Sequence, residues 1–154
     1  MLQKLRAAGA VLILMIPVFF AGMHVASSQN TTRLHRYVIQ VSRDDVEGMN
    51  LALGNAMNAK KLYDSRGEQF QVEIVAYGPG ITMLREDKSP VKDRIEEAKK
   101  AIPNLVLSMC GNAKAAAEKR EGHPVTPLPG VGVVPAGVVR VAELEEQGWT
   151  YIRP

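Results

Sequence analysis

An α/β fold with a mostly parallel five-stranded sheet and helices on both faces is what this sequence predicts. Three observations predict it. Short β-prone segments alternate strictly with helical ones, in the order β-α-β-α-β-α-β-α-β. The third β-prone segment, Leu105 to Met109, is short and apolar, as a central parallel strand buried on both faces should be. Turn and cap residues such as Gly67, Pro103 and Gly148 stand where one element should hand over to the next.

The elements follow in order. Asn30 to Leu34 is a polar lead-in, and Arg36 to Ser42, rich in β-branched and aromatic residues, is the first strand. Arg43 to Val46 turns the chain, with Asp44 or Asp45 as helix cap. Met49, Leu53, Ala56, Met57 and Leu62 recur near helical spacing to about Asp64, and Gly67 is the expected C-terminal stop. Phe70 to Tyr77 is the second strand, ending in the tight turn Tyr77 to Ile81. A short helix over Ile81 to Glu86 and a longer one over Val91 to Ala101 precede the third strand. Ala113 to Lys119 is alanine-rich helix. An irregular proline- and glycine-rich loop then leads to Gly132–Pro135, a fourth strand. Val138 to Gln147 is an amphipathic helix with Val138, Val141 and Leu144 on one face, and Trp149 to Ile152 is a last strand.

Residues 1–28 stand apart. Lys4 and Arg6, an apolar run from Ala7 to Ala21 and the small residues Ala26 to Ser28 have the three-part layout of a secretory signal peptide, with cleavage expected after Ser28. The apolar core of about 15 residues is short of the roughly 20 that span a bilayer. An uncleaved membrane anchor is the alternative. Residues 29–154 are then a single domain by size. The 154-residue chain has a net charge of +3, and Lys4 and Arg6 account for two of those charges. No basic cluster interleaved with aromatics remains, so nucleic-acid binding is not expected.

The one cysteine of the chain, Cys110, excludes an internal disulfide. It falls where the third strand runs into the next helix, on the edge where open α/β sheets bind ligands. A helix start offers unpaired N–H groups and partial positive charge there. Two readings stand side by side: a reactive thiol, or a small buried hydrophobe. Ser42 to Asp45, Tyr77 to Gly80 and Cys110 to Asn112 should meet on that edge. Gly78 and Gly80 allow close backbone approach, and their N–H groups could hold an anion; a tight strand-to-helix turn needs the same glycines. No phosphate loop or dinucleotide fingerprint is present, and the aromatics needed to sandwich a flavin are few, so no cofactor is expected. His35 and His123 lie at no metal-ligand spacing from Cys110 and read as surface residues, so no metal is expected either.

Three segments in order, Val72 to Gly80, Met109 to Asn112 and Val131 to Pro154, carry a resemblance. Over roughly Leu34 to Pro154 the chain resembles the DsrE/DsrF-like family, which includes sulfur-relay subunits of the Tus type. The resemblance implies a flavodoxin-like three-layer fold and assembly into trimers or hexamers. It implies that Cys110 carries sulfur as a persulfide, with Gly111 and Asn112 shaping the thiolate pocket; the topology adds Gly78 and Gly80 as substrate-binding residues on the same edge. The partners it implies are sulfur donor and acceptor proteins or small sulfur compounds. With the signal peptide, it points to a periplasmic sulfur carrier of sulfurtransferase type. The alternative is a non-catalytic oligomeric module that binds a small ligand or a protein, in which Cys110 merely fills space.

Overall fold

The computed structural model describes residues 33–154, so the signal-peptide reading of residues 1–28 lies outside the described residues. Five strands form one sheet: β1 (Leu34–Val41), β2 (Gln69–Ala76), β3 (Leu105–Cys110), β4 (Gly132–Val134) and β5 (Thr150–Ile152). Every neighbouring pair is parallel, and the spatial order is β4-β3-β2-β1-β5. Four helices join them: α1 (Val46–Ser65), α2 (Lys92–Ala101), α3 (Gly111–Glu121) and α4 (Gly137–Glu146). A 3-10 turn, Gly78–Leu84, follows β2.

The strand order decides which face each helix covers. The chain steps in one direction from β1 to β4, so right-handed crossovers put α1, α2 and α3 on the same face. The return from β4 to β5 runs the other way and puts α4 on the opposite face. Two cores result. The larger gathers Ile39, Leu53, Ile74, Ile95, Leu107 and Met109 under the three helices. The smaller joins Val38 and Val75 to Val141 and Leu144 of α4. The result is a flavodoxin-like three-layer α/β fold, with the last strand, not the second, supplying the edge beside β1.

Local signals act as the sequence implies. Asp45 caps α1, accepting from the Gly48 N–H at 2.6 Å, and Gly67 follows the helix at φ +68. Gly148 follows α4 at φ +82, and Gly122, which the sequence places in the loop, ends α3 at φ +75. Three boundaries differ from expectation. β1 begins at Leu34, so His35 is a strand residue and not part of a lead-in. The short helix after β2 starts at Gly78, as a 3-10 turn opened by Pro79. α3 begins directly at Gly111, with no break after Cys110. The proline-rich loop is also better fixed than its composition suggests. Leu128 donates to Leu84 O at 2.9 Å, Glu86 donates to Thr126 O at 2.8 Å, and Val125 and Leu128 are buried.

Gly80 is fixed by crowding. A Cβ there would stand 2.3 Å from the carbonyl oxygen of Val41, inside any allowed contact. The 3-10 turn can lie against the end of β1 only because residue 80 has no side chain. Gly54, in mid α1, has open space around its α-carbon. We expect Gly80→Ala to cost about 3 kcal/mol in urea unfolding. Gly54→Ala should stabilise by about 0.5–1 kcal/mol, because only helix propensity changes.

Candidate functional site

Cys110 is the last residue of β3 and the residue that precedes the first turn of α3. It belongs to the larger core and is 6% exposed. The start of α4 lies directly over it: a Cβ at Gly137 would be 3.1 Å from Cys110 Cβ and 2.7 Å from Tyr77 Cβ. Two helix starts, those of α3 and α4, therefore converge on the thiol. Tyr77 packs against both cores. Burial pushes its phenol above the ordinary value, the nearby Tyr151 adds to this, and Arg153 opposes it.

Gly111 and Asn112 follow the thiol residue directly and pack on the β4–α4 junction. The Asn112 N–H donates to Pro135 O at 3.2 Å, and a Cβ at Gly111 would stand 3.1 Å from Val134 O. They bind the β4–α4 junction to the β3–α3 junction.

The position of α4 is set by an ion pair between a buried carboxylate and a partly exposed arginine. Glu73, in the middle of β2 and 1% exposed, accepts from Arg140 Nε at 2.9 Å and Nη2 at 2.7 Å. Ser108 Oγ of β3 completes the set at 2.6 Å. The bidentate pair holds Arg140 one helical turn after Gly137, and so holds Gly137 over Cys110. Sequence reading passed over Glu73 and Arg140. A single charged residue within the apolar run Val72 to Ala76 was the signal available.

The glycine edge lies elsewhere. Gly78, with φ +53, lines a cleft of about 600 Å³ between the 3-10 turn and α3, together with Asp44, Ile81, Lys88, Ala116 and Arg120. Cys110 does not line it. Gly80 is buried against β1, where its missing side chain makes room for the carbonyl of Val41. The thiol and the cleft are separate places: Cys110 beneath Gly137, and the cleft between the 3-10 turn and α3.

Neither histidine reaches the thiol. His35 is at the amino end of β1, stacked on Tyr63 with centroids 3.8 Å apart, its Nε2 2.9 Å from Glu68 Oε2. His123 lies beyond the far end of α3, about 16 Å from Cys110 by helix rise. It joins Asp87 and Glu121, with one ligand-type atom from each within 4.8 Å of the others. Those carboxylates, however, are already bonded to Arg85, which is 2% exposed and donates to Asp87 at 2.9 and 2.6 Å and to Glu121 at 2.8 Å twice. The cluster is an ion-pair network tying the 3-10 turn to the end of α3.

Arg85 and then Lys88 hold the Glu121 carboxyl well below the usual carboxylate range, and Arg85 lowers Asp87 likewise. A depressed carboxyl stabilises the fold fully above its unfolded value, about pH 4, and loses that contribution as pH falls through the folded value. Glu121→Gln should therefore flatten the acid side of the stability profile below about pH 4, read by urea midpoints. Arg140→Leu leaves Glu73 buried without its cation and should cost about 3 kcal/mol in the same assay. Gly137→Ala should lift the start of α4 and speed alkylation of Cys110 by about tenfold.

No family model matches the chain, and no curated protein matches it. Among solved structures it is similar to a protein of unknown function, MTH1491 from Methanobacterium thermoautotrophicum, at 29% identity with a TM-score of 0.65. The match covers 78% of this chain and 99% of that one, and it supports the α/β architecture described above.

Proposed function

We propose that this chain is an exported sulfur carrier of the DsrE/DsrF-like family, holding sulfane sulfur as a persulfide on Cys110. The observation that carries the reading is the convergence of two helix starts, α3 and α4, on a thiol at the carboxyl end of a central parallel strand. Helix starts favour an anion, and both a thiolate and a persulfide are anions.

The chemistry is an exchange. The Cys110 thiolate attacks the outer sulfur of a persulfide donor R–S–SH. The donor S–S bond breaks, a new S–S bond forms on Cys110, and the donor leaves as R–S⁻. Delivery repeats the exchange on an acceptor thiolate, with Cys110 as the leaving thiolate. No oxidant or reductant is consumed. The partners are sulfur donor and acceptor proteins or small sulfur compounds, encountered in the periplasm after export through residues 1–28.

Assembly into a trimer or hexamer belongs to the same reading. It is supported by the exposure of Val133, Val138 and Val139 around the start of α4, at 51%, 62% and 51%. The alternative is a non-catalytic oligomeric binding module in which Cys110 fills space. The low exposure of Cys110 favours it, because sulfur must reach the thiol past Gly137.

Intact mass spectrometry after incubation with a polysulfide separates the two. A gain of one sulfur atom, reversed by reductant and absent in Cys110→Ser, is expected for the carrier. A folded protein with no gain is the binding module.

A further inference from the structure

We propose that the cleft between the 3-10 turn and α3 binds a small extended zwitterion of tripeptide size, its ammonium at Asp44 and its carboxylate at Lys88 and Arg120. The cleft holds about 600 Å³, within the usual range of small-molecule sites. Its upper end is at the carboxyl edge of the sheet, where Asp44 follows β1, Gly78 follows β2 and Ala113 follows β3 closely. Its lower end is the last turn of α3 and the segment after the 3-10 turn.

The two ends carry opposite charge. Asp44 is exposed; its neighbour Arg43 pairs with Asp45 at 3.6 Å, and Asp44 has no ion-pair partner among the described residues. At the lower end three cations, Arg85, Lys88 and Arg120, share two carboxylates, Glu121 and Asp87. One positive charge is in surplus. Arg85 is fully committed, whereas Lys88 and Arg120, 49% and 70% exposed, each make one solvent-facing contact to Glu121, which a ligand carboxylate can share or replace. Between the ends, Ala113, Ala116 and Ala117 face Ile81 and Pro79, giving an apolar channel with little side-chain bulk.

Length selects the ligand. Seven helical residues separate Ala113 from Arg120, about 10 Å along α3. An extended tripeptide spans about 10 Å between its termini. A single amino acid cannot touch both ends. The cleft does not use Cys110, so this proposal goes beyond sulfur carriage and stands apart from it.

Calorimetric titration of the full chain with trialanine tests it. Saturable binding is expected, weakened roughly tenfold when either the amino end is acetylated or the carboxyl end amidated. Asp44→Asn should bind trialanine and its acetylated form equally. Ala116→Leu should fill the channel and abolish binding, with an unchanged thermal midpoint showing that the fold survives. Absence of saturable binding, equal affinity for the blocked peptides, or undiminished binding by Ala116→Leu would each overturn the proposal. Sulfur uptake is read by mass at Cys110, so either reading can fail without the other.

Discussion

A carboxylate buried in the middle of a parallel sheet must be answered by a cation, and here Arg140 answers Glu73. The apolar contact between α4 and the sheet is small, mainly Val141 and Leu144 on Val38 and Val75. Such a contact resists sliding poorly, because hydrophobic burial has no direction. A two-pronged guanidinium–carboxylate pair does have direction. It sets the rotation and height of α4, and the start of α4 then falls on Cys110. The accessibility of the thiol is therefore governed by a pair of residues that do not touch it.

The second governing constraint is backbone crowding at the carboxyl edge. Gly80 and Gly137 are both helical-type residues whose missing side chains let one segment lie on another, Gly80 on Val41 and Gly137 on Tyr77 and Cys110. Neither has a positive φ. Their value is space, not conformational freedom. Gly78, at φ +53, is the one glycine of this edge that the turn itself requires.

Together these features divide the edge in two. On one face the alanines of α3 leave an open cleft bounded by charged ends. Beside it, the start of α4 packs through Gly137 on Cys110 and Tyr77. An α/β sheet of this strand order has three helices on one side and one on the other, so its two faces offer different chemistry at the same edge.

Much of the architecture was legible in the sequence. The alternation of elements, the five strands, a cap at Asp44 or Asp45 and the glycine stops after α1 and α4 all depend on residues within a few positions of one another. Local sterics and hydrogen bonding suffice for them. The position of Cys110 at the end of β3 was legible for the same reason. What the tertiary structure alone decided are pairings distant along the chain. Glu73 meets Arg140 across 67 residues, and Arg85 meets Glu121 across 36. Gly137 packs on Cys110, His35 enters a strand, and the cleft that Gly78 lines leaves Cys110 out. Each depends on strand order and on which face a crossover takes. Periodicity reports which side of an element is buried, but not which element buries it.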